Sequence, residues 1–328
     1  MKNIINLQLF ATQTTLLEGL TPEMKTFYDM TLIDEASANL VHDQFGQKRP
    51  IPQGSGKTIE FRKFSPLAKA STPLTEGVTP DGNSLTVTTI NATVAQYGDY
   101  IVQSDVLELT SLDNTILEAT KLLGRQAGAT LDTVTRNVLQ GGTNVTYCPK
   151  VAADGTETAV TSRSDLDTTS QLTVKVIQQV VAKLRAQNAP TINGKYVAII
   201  HPYVAYDLMR DKEWIDAHKY ANPTNLYEGE IGEVAGVRFV QTSEAKIYDD
   251  GVFGTLIFGE GAYGVTEITG GGLQTIVKQK GSAGTADPLD QRSSVGWKAI
   301  KTAELLIPNY LVRVESKSAA FSGSVAAN

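Results

Sequence analysis

Two strand-like runs, Thr58 to Phe64 and Leu85 to Gln103, are joined by about twenty residues that fit neither strand nor helix, and no other feature constrains the fold so strongly. The connection holds Pro66, Pro73, Pro80, Gly77 and Gly82, residues that interrupt both regular structures. Ordering it costs roughly 1–2 kcal/mol of backbone entropy per residue before any contact offsets that cost, and compact domains seldom hold so long a structureless loop. The expectation is a hairpin arm held from outside the subunit's own core, lying across a neighbouring copy of the chain. Phe64, Leu67, Leu74, Glu76 and Val78 are its candidate contact residues.

At 328 residues the chain is long for one core and suits two domains, or one elongated domain with excursions. Its hydrophobic content of 41% and charged content of 20% are those of a folded protein. The formal charge is −6, and the 29 basic residues are read as forming no sharp cluster, which argues against tight or sequence-specific nucleic-acid binding. A single cysteine, Cys148, cannot form an intramolecular disulfide and reads as a buried, inert thiol in a reducing compartment. The opening apolar stretch is broken by Asn3, Asn6 and Gln8, too polar for the centre of a signal peptide. Nowhere do eighteen apolar residues follow one another, so no membrane span is expected, and the triplets at Asn91 and Asn144 carry no expectation of glycosylation.

Along the chain, Thr21, Pro22 and Glu23 form a helix start, followed by Phe27, Leu32, Ala36, Leu40 and Phe45 at roughly helical spacing up to Gly46. Residues 1–50 read as an N-terminal arm with one amphipathic helix, and 51–108 as the extended hairpin. The longest helical pattern follows, from about Ser111 to Gln140 within a segment 109–145, with Gly141 and Gly142 as its stop. Some thirty residues of helix span about 45 Å, the length of a spine. Gly124 and Gly128 form a small-xxx-small pair suited to close packing of a strand or helix.

Within 146–280, a second helix runs from Leu172 to Asn188 and ends at Pro190. Tyr196 to Ile200 is an apolar run of strand length, expected to be central and buried on both faces, and Tyr203 to Trp214 reads as one helix. Short strands follow at Val237–Val240, Thr255–Phe258, Val265–Ile268 and Leu273–Lys280. The closing segment 281–328 holds a polar loop and then β-type alternation from Val295 to Glu315, interrupted by Pro308. The order of elements argues an α+β fold.

Two glycine motifs point toward nucleotides and fail on context. Gly54, Ser55, Gly56, Lys57 and Thr58 end like a phosphate-binding loop, but Ile51 stands where its first glycine belongs and a strand follows where a helix is needed. Gly259, Gly261 and Gly264 match a dinucleotide fingerprint, yet Val265–Ile268 continues as strand, so no helix dipole meets a pyrophosphate. His42, His201 and His218 lack second ligands at metal spacing and read as capping, packing or solvated residues; His201 is the most tempting general base, with no nucleophile elbow beside it. Asp211, Glu213 and Asp216 read as a solvated helix face, and Asp249, Asp250 and Gly251 as a hairpin turn. No catalytic, cofactor or metal residue is assigned.

Three sets of residues carry a family resemblance. Leu74–Thr75–Glu76–Gly77–Val78–Thr79–Pro80 followed by Val94–Ala95–Gln96–Tyr97–Gly98 resembles the extended loop of major capsid proteins of tailed bacteriophages with the Hong Kong 97-type shell fold. Gly194–Lys195–Tyr196 with Ile199–Ile200–His201–Pro202 resembles the central strand and turn of that family's apical domain. Glu230–Ile231–Gly232, Gly236–Val237, Asp287–Pro288 and Val295–Gly296–Trp297–Lys298 are similar to the same branch, as is the opening Asn6–Leu7–Gln8–Leu9–Phe10–Ala11. The resemblance implies an N-terminal arm, an extended β-hairpin loop, a peripheral domain with a long spine helix, an axial domain with a central mixed sheet, and no active site. No crosslinking lysine and asparagine pair can be placed.

The expected role is therefore a coat protein that self-assembles through pentamers and hexamers into an icosahedral head around double-stranded DNA, without cofactor or membrane. Scaffold, portal and decoration proteins are its other expected partners, and the virion, assembled in the bacterial cytoplasm, its location. A host-encoded encapsulin-like nanocompartment is the close alternative, and a nucleotide- or dinucleotide-dependent enzyme the distant one.

Overall fold

The computed structural model describes residues 30–36, 40–64, 67, 69–74, 76–79, 82–111, 115–221, 232–282 and 287–328. The chain divides into two compact units. One is drawn from Met1–Ser37, Gly98–Ala127 and Leu273–Lys298, and the other from Ala38–Tyr97, Gly128–Gly272 and Ala299–Asn328.

The larger unit is organised by a seven-stranded sheet in the order Val145–Tyr147, Leu311–Lys317, Val252–Phe258, Tyr196–Ile200, Val237–Gln241 and Glu233–Val234, with Ile247–Tyr248 paired to Val252–Phe258. Tyr196–Ile200 lies parallel to Val237–Gln241 and antiparallel to Val252–Phe258, so the sheet is mixed. The run is apolar throughout because both of its faces are covered. Tyr196, Ala198 and Ile200 pack with Ile177, Val180 and Leu184 of the helix Val174–Ala186, while Val197 and Ile199 join Leu139, Leu256 and Phe258. Alternate residues of a strand face opposite sides, and each buried Val, Leu, Ile or Phe contributes about 1.5–3 kcal/mol. Asp249, Asp250 and Gly251 do form the expected turn, between Ile247–Tyr248 and Val252–Phe258, with Asp250 and Gly251 at φ 59° and 65°.

In the same unit, Tyr263–Glu267 pairs antiparallel with residues 301–305 of the strand Arg292–Leu305 and parallel with Gln47–Lys48. The hairpin arm is present as a ribbon in which Thr58–Phe64 and Val87–Thr93 pair antiparallel over seven residues each. The described residues between the two strands adopt neither helix nor strand.

The smaller unit contains helical residues 30–36, the later part of the strand Ala95–Ser104, the helix Asp105–Thr110 and the first half of the helix Thr115–Gln140. In it, Gln274–Lys278 pairs antiparallel with residues 294–298, and Ala95–Ser104 also pairs with Arg292–Leu305. Glycine is required where backbones meet: a Cβ on Gly98 would lie 2.6 Å from the Trp297 carbonyl oxygen, and one on Gly124 would lie 2.8 Å from that of Leu32. The second contact is the close helix packing expected of Gly124. Trp297 donates its indole N–H to Gln126, which donates to Asp99, so one polar chain joins strand, helix and strand.

Four expected boundaries are corrected. Among described residues the N-terminal helix covers 30–36 and does not reach Gly46, while its proposed start at Thr21 lies outside the described residues. His42 and Asp43 are drawn instead into a buried polar network with Asp132, Thr135, Lys301 and Tyr263, whose partners lie 90 to 258 residues away. The long helix begins at Thr115, after a separate helix Asp105–Thr110 capped by the Ser104 hydroxyl. Gly141 and Gly142 do not enter the left-handed region; the helix closes through tight turns to Val138 and Leu139 and through the Arg313 guanidinium on the carbonyls of Gln140 and Gly142. Residues 202–221 form two helices, Pro202–Met209 and Lys212–Ala221, rather than one. Asp211, between them, accepts the amides of Val174 and Glu213, so it is a capping residue and not part of a solvated face.

Candidate assembly surface

The ribbon is two-faced. Opposed residues in an antiparallel pair share a side, so Ile59 with Ala92 and Phe61 with Ile90 form one face and Glu60, Arg62 and Phe64 with Asn91, Thr89 and Val87 the other. The first face is anchored: Phe61 and Ala92 are buried against Leu306, with Ile59, Ile90 and Ile307 around them, and the Arg49 guanidinium lies 5.7 Å from the Phe61 ring centre. Gly264 lets the ring sit close: a Cβ there would stand 3.0 Å from Phe61, tight enough that the ring would have to give by a few tenths of an ångström. The second face is exposed at every position.

Of the candidate contact residues, Phe64 is 60% exposed and directly opposite exposed Val87, at the far end of the ribbon. Leu67, Leu74 at 77% exposure, Glu76 and Val78 follow in the connection, all exposed, as is Leu85 beyond them. The ribbon thus has an apolar anchor at its base and uncovered apolar groups toward its end. Large uncovered apolar patches on a folded chain mark surfaces that meet something else.

Other sequence candidates resolve into structural roles. Gly54 and Gly56 have φ near +85° in a turn that delivers Thr58 directly into the ribbon strand, so the phosphate-loop-like motif has no helix. Gly261 turns the chain at φ 70°, Gly259 leaves no room for a Cβ beside the Pro190 carbonyl at 2.2 Å, and strand Tyr263–Glu267 follows; the dinucleotide-like motif is a turn. His201 caps the helix Pro202–Met209, its Nδ1 accepting the Tyr203 amide at 3.1 Å, and it packs on Phe253 and Tyr203. Burial lowers its pKa to about 4. His42 is held by Asp132, His218 lies in the helix Lys212–Ala221, and Cys148 is buried with its pKa raised by desolvation. Among the described residues no group of His, Cys, Asp and Glu could hold a metal, and no helix is long and apolar enough to cross a membrane.

Two features escaped the sequence reading. Glu315 is fully buried, takes two 2.6 Å hydrogen bonds from Arg163, and lies 2.9 Å from Arg313, while the Arg163 guanidinium covers the Tyr248 ring at 3.5 Å. Residues 152 positions apart in sequence leave no local signal of such a pair. The second is charge. Contrary to the expectation of no cluster, residues 48–69 hold six cations and one carboxylate. A running count of charge, rather than the whole-chain total, would have found it.

The fold is that of phage capsid proteins. The capsid structure of cyanophage P-SCSP1u superposes with a TM-score of 0.64 at 15% identity, covering 84% of this chain and 87% of that one. The capsid of cyanophage Pam1 gives 0.64 at 13%, covering 87% and 92%, and that of Ralstonia phage GP4 gives 0.61 at 14%, covering 84% and 87%. No curated protein matches. The family model described as phage capsid protein matches residues 21–266. It does not favour the nanocompartment alternative. Matched by that model over most of its length, the chain belongs to the phage capsid protein family, as a major capsid protein whose role is structural and not enzymatic.

Proposed function

We propose that copies of this chain assemble through pentamers and hexamers into an icosahedral head that confines double-stranded DNA, with the ribbon of each copy lying over its neighbour. The observation that carries this reading is the ribbon itself. Its base is fixed by Phe61, whereas Phe64, Leu67, Leu74 and Val78 are exposed, with Glu76 among them as a polar contact. Burying one such Leu or Phe contributes about 1.5–3 kcal/mol, so three or four together supply about 4.5–12 kcal/mol before ordering costs are met, a contact that is weak alone and gains strength from many copies. Such contacts are head-to-tail, and head-to-tail contacts between identical copies make rings when the rotation from one copy to the next closes, as pentamers and hexamers require.

The same reading takes the finer architecture as Hong Kong 97-type: an N-terminal arm at 1–50, the hairpin loop at 51–108, a spine helix at 109–145, an axial domain at 146–280 and closing strands of the peripheral domain at 281–328. Scaffold, portal and decoration proteins, assembly in the host cytoplasm, and shell maturation by rigid-body tilting belong to this proposal too. Electron microscopy of the purified protein tests it, together with deletion of residues 66–83. The expected result is closed particles from the full chain, and a folded subunit that forms none from the deletion. Normal particles from the deletion would refute the ribbon's role.

A further inference from the structure

Asn193–Gly194 is the chain's only asparagine followed by glycine. The pair forms a two-residue turn with φ of 51° and 83°, the left-handed backbone this dipeptide favours, and it feeds the central strand Tyr196–Ile200. The turn is closed by a single residue pair, Ile192 and Lys195, which exchange hydrogen bonds of 2.8 and 3.1 Å. No further ladder stands behind that pair, so the turn opens at little cost beyond those two hydrogen bonds.

Asn193 and Gly194 are both exposed, and a Cβ on Gly194 would meet nothing within 4 Å. Among the described residues the Gly194 N–H gives no backbone hydrogen bond, and the Asn193 side-chain amide has no partner. A backbone nitrogen and the carboxamide carbon it can attack are therefore neighbours, with neither held elsewhere. Asn188 provides the contrast within the same molecule. It too is exposed, with φ 54°, but the nitrogen that follows it belongs to Ala189, which is 7% exposed and donates to the Leu184 carbonyl at 3.0 Å. There the nitrogen is withheld and a methyl group crowds it.

We infer that Asn193 is a site of spontaneous deamidation in the folded chain. The Gly194 nitrogen attacks Cγ of Asn193: the N–Cγ bond forms, the Cγ–Nδ2 bond breaks, and ammonia leaves with the proton of that nitrogen, giving a cyclic succinimide. Water then adds to one of the two ring carbonyls. Cleavage of the N–Cγ bond leaves an aspartyl residue, and cleavage of the backbone C–N bond leaves an isoaspartyl residue whose main chain runs through the former side chain. Nothing is oxidised or reduced, and water is the only co-reactant. Either product puts a carboxylate at a cleft of about 710 Å³ where Lys195 and Arg238 are matched by Glu233 and Glu260, Lys195 being paired with Glu233. The isoaspartyl product also lengthens the main chain by one methylene, which a two-residue turn cannot hold without losing the Ile192–Lys195 pair. The inference stands independently of the shell reading.

Incubating the full-length folded protein in mildly alkaline water enriched in heavy oxygen, followed by peptide mapping, tests it. Position 193 is expected to take up label several-fold faster than position 188 or any other asparagine, with labelling by isoaspartyl methyltransferase rising in step. On ion exchange the wild type should develop an acidic form that Asn193→Gln never develops and that Asn193→Asp shows from the start. Gly194→Ala should slow the conversion several-fold; a left-handed alanine strains the turn, so Asn193→Gln carries the test if that variant misfolds. Conversion at 193 no faster than at 188 overturns the inference. So does an acidic form that persists in Asn193→Gln, or conversion that appears only after urea has unfolded the protein.

Discussion

Replacing Glu315 by Gln should destabilise the larger unit by about 2–4 kcal/mol, although Gln keeps the shape of the side chain. Glu315 has no exposure and is clamped by both Nε and Nη2 of Arg163, with Arg313 alongside. A neutral amide presents one oxygen where two were used and sets an NH2 against a guanidinium donor. The lost charge-assisted hydrogen bond costs about 1.5–3 kcal/mol, and two guanidinium groups are left without their shared anion. That range lies about 1 kcal/mol lower than the 3–5 kcal/mol expected for breaking a fully buried pair, because the Arg163 side chain is 39% exposed and can turn to water. Arg163→Ala should cost less, about 1–2.5 kcal/mol, since Arg313 still faces the carboxylate and the stack on Tyr248 is worth about 0.5–1 kcal/mol. The double variant should fall short of the sum of the singles by about 1–2 kcal/mol, the mark of a direct contact. Urea unfolding of the dissociated subunit, followed by fluorescence of Trp214 and Trp297, measures all three. If Glu315→Gln lies within about 0.5 kcal/mol of wild type, or the double variant is strictly additive, the clamp does not act as described.

Three further outcomes are expected. His201 is buried neutral, with its pKa lowered by desolvation to about 4 against 6.5 unfolded; the unfolded chain therefore binds the extra proton, and stability falls as pH drops from above 6.5 toward 4. That loss should be about 1–3 kcal/mol and absent in His201→Gln, so identical pH profiles of the two proteins would contradict it. Gly259→Ala puts a methyl 2.2 Å from the Pro190 carbonyl and should lower stability by about 1–3 kcal/mol in thermal melts. Phe61→Ala removes the ribbon's anchor: limited proteolysis should cut residues 58–93 several-fold faster while Trp214 fluorescence reports an intact body, and unchanged cleavage would show that the anchor does not hold the ribbon.

Periodicity along the chain was enough to fix several elements: the ribbon strand Thr58–Phe64, the long helix ending at Gln140, the helix around Val176–Leu184 and the two-sided strand Tyr196–Ile200. Each repeats apolar residues at the period of its own secondary structure, and that signal is local. The absence of a helix after either glycine motif was local as well. What a local reading could not supply was any decision made by a distant partner. Leu40 to Phe45 continue a helical pattern, yet the chain turns there because Asp132 takes the His42 amide and ring, Lys301 takes Asp43, and Tyr263 takes the His42 carbonyl. Residues 203–214 show one helical pattern, but Asp211 breaks it to cap the helix beginning at Val174. Buried polar groups must be paired, and the energy of pairing them outweighs the few tenths of a kcal/mol per residue that helix propensity offers. Which strands neighbour which, and that Glu315 sits between Arg163 and Arg313, were set only when the chain closed on itself, because a residue's charge is written in the sequence but its counter-ion is not.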